Sequence, residues 1–156
     1  NALDELEEYL KEYGNKVSAL ITEVPTNPLL ITVDVPRLKK LCDKYNIPLV
    51  IDSTFATPYN LDLKPYADVY IESLTKYACG NADVLMGAIV LNENSKLSCC
   101  SAEFFKHADK PYIKDIQRIA FQIQNYENRM KKINSNTAKL VKHLKTKNYI
   151  EIYKQK

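Results

Sequence analysis

The stretch Asp34-Val35-Pro36-Arg37-Leu38-Lys39-Lys40-Leu41-Cys42-Asp43-Lys44-Tyr45-Asn46-Ile47-Pro48-Leu49-Val50-Ile51-Asp52 decides the fold. Its first half reads as a helix. Asp34 can cap the first turn, Pro36 falls where a missing N–H costs nothing, and Leu38, Leu41 and Cys42 recur at helical spacing to about Tyr45. Its second half, Ile47 to Ile51, is an apolar run short enough for a buried strand, and Asp52 closes it. Upstream, Val17 to Thr22 is another short apolar run, ended by Pro25 and Pro28. Strand, helix and strand within about thirty-five residues make a βαβ unit, hence a parallel sheet and an α/β fold.

The pattern extends both ways. Leu3, Leu6, Tyr9, Leu10 and Tyr13 predict an opening helix with Gly14 as its C-cap. After a Thr/Pro/Asn-rich loop from Ser53 to Pro65, strands are expected at Asp68 to Ser73 and Val84 to Asn92. Residues 95–112 read as irregular or partly helical. Ile113 to Lys147 carries long helical periodicity, and Tyr149 to Tyr153 alternates like the start of a new strand. Neither end reads as a natural boundary, so a segment of a longer protein is expected.

Composition narrows the classes. The chain has 156 residues, 46% hydrophobic and 26% charged, ordinary for a soluble globular domain with a real core. No apolar run approaches the ~20 residues of a membrane span. The start Asn1-Ala2-Leu3-Asp4-Glu5 reads as acidic and helical in pattern, not as a signal peptide. Cys42, Cys79, Cys99 and Cys100 form no CxxC pair, and only His107 and His143 accompany them, which argues against a zinc site and for a reducing, cytoplasmic setting. From residue 128 onward nine Lys/Arg face one acid, Glu151. No base-stacking aromatic series accompanies them, so they read as a solvated helix face and not as a nucleic-acid surface.

The chemistry concentrates at strand ends. Ligands of open α/β sheets bind beyond the carboxyl ends of the strands. Asp52 ends one strand, and Ser73-Leu74-Thr75-Lys76-Tyr77 follows the next. A lysine, an aspartate and two hydroxyls there are the parts that hold pyridoxal phosphate. Lys76 supplies the amine, Asp52 pairs the ring nitrogen, and Ser73 and Thr75 donate to the phosphate. Thr54, two residues past Asp52, can orient the carboxylate or touch the ring. Asn27, between Pro25 and Pro28 after the first strand, can donate to a phenolic oxygen. Each has a bland counterpart: a snorkelling lysine, a capping aspartate, a turn threonine, an Asx turn.

Glu23-Val24-Pro25-Thr26-Asn27-Pro28, Val50-Ile51-Asp52-Ser53-Thr54-Phe55 with Pro58-Tyr59, Ser73-Leu74-Thr75-Lys76-Tyr77, and Gly80-Asn81-Ala82-Asp83-Val84 with Gly87 together resemble the Cys/Met-metabolism (transsulfuration) family of pyridoxal-phosphate enzymes. The likeness runs in order from about Val17 to Leu91 and more weakly through Asn125 to Met130, with a cystathionine γ-synthase flavour. It implies fold-type I, a seven-stranded, mostly parallel sheet flanked by helices. Residues 1–112 would be the central part of the cofactor domain, 113–147 the long inter-domain helix, and 148–156 the start of a C-terminal domain. By position it implies Lys76 as the Schiff-base lysine, Asp52 as the ring-nitrogen partner, Ser73 and Thr75 on the phosphate, Thr54 near the ring and Asn27 on its phenolic oxygen. The implied activity is C–S bond formation or cleavage on sulfur amino acids or O-acylhomoserine, through an external aldimine and a carbanion. γ-Lyase and sulfhydrylase activities of the same family are the alternatives, and a homotetramer in the cytoplasm is the implied assembly. Val24 replaces the family's usual Ser or Thr, and Asn81 replaces a common His. The family's N-terminal phosphate-binding segment and C-terminal substrate arginine lie outside these motifs, so the segment is expected to be inactive alone.

Two readings from other classes compete. A phospho-receiver domain also places an aspartate at a strand end, but it needs an acidic pair for magnesium that this chain lacks. A degenerate structural relative would keep the fold and hold no cofactor.

Overall fold

A computed structural model of the chain describes residues 2–147 and residue 151. The strand expected at Tyr149 to Tyr153 and the domain expected from residue 148 lie, Glu151 apart, outside the described residues. The chain forms two compact units: one of Asn1–Ser73 and Gly87–Lys110, the other of Leu74–Met86 and Pro111–Lys156.

The first unit is built on the βαβ expectation. Helix α1 (Ala2–Tyr13) leads to β1 (Leu20–Glu23), α2 (Val35–Lys44), β2 (Leu49–Asp52), a short α3 (Thr57–Asn60), β3 (Val69–Ser73) and β4 (Gly87–Leu91), with α4 (Ser101–Lys106) after them. Asp34 caps α2, its Oδ1 accepting the Arg37 N–H at 3.0 Å, with Pro36 in the first turn. The sheet order is β1-β2-β3-β4. β1, β2 and β3 are parallel, with Glu23 opposite Asp52 and Asp52 opposite Ile71, whereas β4 runs antiparallel to β3.

Alternation divides the sheet. Leu49, Ile51 and Tyr70 face one way and join Val24, Leu38, Leu41 and Cys42 in a buried core. Residues of opposite parity face the other way, where Ile21 stays 73% exposed. At the N-terminal ends of the strands, buried Asp68 accepts from the Leu49 N–H, the Lys39 ammonium and, at 2.6 Å, the Ser95 hydroxyl. Burial would raise its pKa, but these donors outweigh burial and hold it below the ordinary carboxylate value.

The second unit pairs the turn after β3 with α5 (Ile113–Gln122) and α6 (Tyr126–Leu144) around Ala78, Cys79, Val84 and Ile119. The expected continuous helix over 113–147 is interrupted by a 3-10 turn at Ile123–Asn125. The Tyr126 N–H bonds back to the Ile123 carbonyl, and the Gln122 carbonyl accepts Arg129 Nη2 at 3.3 Å. A side chain thus takes up a carbonyl that an unbroken helix would give to Tyr126.

Two smaller expectations also shift. Val84 to Met86 do not join β4, because Met86 pairs with Thr75: the Thr75 N–H donates to the Met86 carbonyl, and the Met86 N–H donates to Thr75 Oγ1. Gly14 opens a 3-10 turn and does not cap α1 in a left-handed conformation. A Cβ there would meet the Tyr45 ring at 3.3 Å.

Candidate active site

Asp52, Ser73 and Asn27 fall at or beyond the carboxyl ends of parallel strands, where a βαβ sheet leaves its binding edge. Asp52 is half-buried. The Thr54 N–H donates to its Oδ1 at 2.9 Å, and no hydrogen bond reaches its Oδ2 among the described residues. Thr54 Oγ1 in turn accepts the Ser73 N–H at 2.8 Å. Thr54 therefore ties the end of β2 to the end of β3, with its backbone on the aspartate and its side chain on the serine.

Ser53 reinforces the same edge from beneath. It is fully buried, its hydroxyl donates to the Val24 carbonyl at 3.2 Å, and its N–H donates to the Ile71 carbonyl at 3.1 Å. Asn27 sits exposed in the loop after β1, where the Val24–Pro25 and Asn27–Pro28 peptides are both cis. Its N–H donates to Glu23 Oε2 at 2.9 Å, leaving the side-chain amide without a bond among the described residues.

Thr75 and Lys76 belong to the second unit. Lys76 is exposed, and its ammonium carries no ion pair among the described residues. Its backbone is fixed: the Lys76 carbonyl accepts the Gly80 N–H at 3.0 Å, and the Leu74 carbonyl accepts the Cys79 N–H at 3.0 Å. Arg129 locks this turn from α6, with Nε on the Tyr77 carbonyl at 2.9 Å and Nη2 on the Ala78 carbonyl at 2.6 Å. The next loop is clamped from α5, where Asp83 accepts the Gln122 amide at 2.8 Å and Arg118 Nη1 at 3.2 Å. The Thr75 hydroxyl lies against the Met86 backbone, accepting the Met86 N–H at 3.2 Å and facing the Met86 carbonyl at 3.4 Å.

Four contributors escaped the sequence reading. Glu23 braces the Asn27 loop, and its strand register with Asp52 was the available signal. Ser53 was hidden as a plain small residue. Arg129 acts from about fifty residues away, and nothing local marks it. Glu72 is the one whose parity gave it away: two residues after Tyr70, it must share the buried face. It is 6% exposed, and burial, followed by the charge of Asp52, raises its carboxyl to about 7.

The comparisons with known proteins bear on this edge. The sequence matches the family described as Cys/Met metabolism PLP-dependent enzymes over residues 1–154. The chain belongs to that family. Family members close to it include an L-2-amino-4-chloropent-4-enoate dechlorinase/desaturase of Streptantibioticus cattleyicolor, 43% identical over 82% of this chain and 26% of the relative. Cystathionine γ-synthase of Saccharomyces cerevisiae is 33% identical over 84% of this chain and 21% of the relative. Among solved structures, metB of Corynebacterium glutamicum superposes with a TM-score of 0.74 at 27% identity, over 92% of this chain and 38% of that one. The chain thus spans about a quarter of the length of these curated family members. The family depends on pyridoxal phosphate and confirms the fold-type I α/β expectation, of which four strands are described. Among the described residues, no helix is long and apolar enough to cross a membrane.

The residues present suit this cofactor. A ring-nitrogen proton needs a fixed carboxylate with an open lone pair, which Asp52 Oδ2 offers, and covalent attachment needs an amine that no carboxylate holds, which Lys76 offers.

Proposed function

We propose that this chain is the cofactor-holding part of an enzyme that makes or breaks a bond at the γ-carbon of a small amino acid, with carbon–sulfur chemistry of the cystathionine γ-synthase kind as the primary reading. The observation that carries it is the half-fixed Asp52 carboxylate, anchored at Oδ1 by Thr54 and open at Oδ2. Bound pyridoxal phosphate supplies an electron sink for charge that develops at the substrate α-carbon.

The chain's own groups do the rest. Lys76 Nζ would be the point of covalent attachment and would hold and move the proton at the substrate α-carbon. Asp52 keeps a proton on the ring nitrogen. Thr54 holds Asp52 in line, and through Ser73 it sets the end of β3. Ser73 donates to the phosphate. Thr75 contributes there through its backbone position more than its hydroxyl, which Met86 engages. The Asn27 amide bonds the phenolic oxygen.

The 43%-identical relative is named for a substrate with chlorine on carbon 4, the γ-position. It favours a second reading, in which the leaving group at that carbon is a halide and not a thiol or acyl ester.

The test is borohydride reduction of the full-length protein after incubation with pyridoxal phosphate, followed by peptide mass analysis. A pyridoxyl adduct on Lys76 that disappears in Lys76→Ala is expected. A protein that stays colourless and yields no adduct overturns the assignment. A substrate panel of cystathionine, O-acylhomoserines and 4-chloro amino acids then separates the two readings.

A further inference from the structure

Glu23 closes β1 in register with Asp52, so the two carboxylates share one face of the sheet on neighbouring strands. The backbone ties them further: the Val24 N–H, one residue on, donates to the Asp52 carbonyl at 2.8 Å. From this fixed base the Glu23 side chain reaches forward, and its Oε2 accepts the Asn27 N–H at 2.9 Å. The rest of the loop closes on itself. The Thr26 N–H donates to the Ile31 carbonyl at 2.9 Å, the Leu30 N–H to the Thr26 carbonyl at 2.8 Å, and the Ile31 N–H to Thr26 Oγ1 at 3.0 Å. Among the described residues, the Glu23 carboxylate is thus the hydrogen-bond partner that holds Asn27 to the sheet.

A spacing requirement gives this bond a use. The cofactor ring is rigid, so the groups that meet its nitrogen and its phenolic oxygen must keep a set separation. Asp52 is placed by β2, but Asn27 lies in a loop beyond the end of β1. We propose that Glu23 is a positioning residue for Asn27: anchored beside Asp52, its carboxylate holds the loop where the Asn27 amide donates to the phenolic oxygen while Asp52 holds the ring nitrogen. This rests on the cofactor reading above. A carboxylate suits the task, because its bond to a backbone N–H is charge-assisted and stronger than a neutral one.

The consequence is readable on the cofactor. A hydrogen bond to a charged oxygen favours its charged form. The Asn27 amide therefore lowers the pH at which the visible band of the bound cofactor changes with protonation. Removing the amide, or letting its loop drift, raises that midpoint.

The experiment loads the full-length protein with pyridoxal phosphate and measures the midpoint in the wild type, Glu23→Ala, Glu23→Gln, Asn27→Ala and the Glu23→Ala/Asn27→Ala pair. Asn27→Ala is expected to raise it by about one pH unit, the size of a hydrogen bond to a charged group. Glu23→Ala is expected to raise it by about half a unit or more, and Glu23→Gln, which keeps an acceptor oxygen, by less. The double variant is expected to match Asn27→Ala, because Glu23 acts through that residue. An unmoved midpoint in either single alanine variant, or shifts that add in the pair, overturns this proposal and leaves the cofactor reading standing. A wild type with no visible band overturns both. Should a variant take up no cofactor, hydrogen exchange at the Asn27 amide of the cofactor-free protein decides. It is expected to quicken in Glu23→Ala and stay slow in Glu23→Gln, and an unchanged rate in Glu23→Ala overturns the proposal.

Discussion

Replacing Gly80 by alanine tests how the turn after Lys76 is held. Gly80 has φ +78°, a left-handed conformation that costs an alanine roughly 1 kcal/mol. A Cβ there would also lie 2.6 Å from Arg129 Cζ and Nε, and 2.8 Å from Cδ. An exposed arginine would swing away at little cost, but this one is tied to the Tyr77 and Ala78 carbonyls. Moving it gives up two charge-assisted hydrogen bonds, each worth about 1.5–3 kcal/mol. Gly80→Ala is therefore expected to cost about 4–7 kcal/mol, and Arg129→Ala alone about 3–6 kcal/mol. The double variant is the discriminating one. With the guanidinium gone the clash disappears and only the backbone term of Gly80→Ala remains, so the pair should cost about 2 kcal/mol or more less than the sum. Urea unfolding followed by far-ultraviolet circular dichroism measures all three. Losses that add to within about 0.5 kcal/mol would refute the reasoning, because they would mean that the two residues do not share a contact.

Other expectations follow from the same structure. The folded value of Glu72, about 7, lies above its ordinary 4.5, so its contribution to stability is full below about pH 4.5 and is lost by about pH 7. That loss is about 2–3 kcal/mol, and Glu72→Gln should flatten it in unfolding curves taken across the range. Asp68 has the opposite sign: its lowered value gives stability above the ordinary carboxylate range that fades as pH falls, so Asp68→Asn should weaken the protein at neutral pH and blunt the acid limb. Thr54→Val removes the acceptor for the Ser73 N–H, and hydrogen exchange at that amide should quicken, whereas Thr54→Ser keeps it slow. Thr57 is buried at φ +65°, and its hydroxyl has no hydrogen-bond partner among the described residues, so Thr57→Gly should raise the free energy of unfolding, read from urea curves, by up to about 1 kcal/mol once lost packing is deducted.

The sheet and its binding edge were legible because they are written locally. Asp34 and Pro36 announce a helix start, and alternation around Leu49 and Ile51 announces a buried strand ending in Asp52. The same parity rule, applied to β3, would have placed Glu72 inside. What stayed out of reach depends on partners distant in sequence. Arg129 holding the Tyr77 turn, or Asp83 meeting Gln122, joins residues that share no local pattern. The contact of the Thr75 hydroxyl with the Met86 backbone was out of reach for the same reason, since only the fold brings that backbone alongside. The long helix was misjudged because a short 3-10 turn leaves apolar spacing almost unchanged while altering the hydrogen bonds.

That 3-10 turn also fixes an angle. Each residue advances about 120° around a 3-10 helix and about 100° around an α-helix, so three residues rotate everything that follows by about 60° relative to an unbroken helix. The side chains of α6 are therefore out of phase with those of α5: an unbroken helix would carry Met130 on the same stripe as Ile116 and Ile119, and the turn offsets it from that stripe by about 60°. Arg129 acts as the stop on this dial. Any residue there that cannot reach the Gln122 carbonyl frees it for the Tyr126 N–H, and the second helix can then rotate into register with the first, carrying a different set of side chains inward.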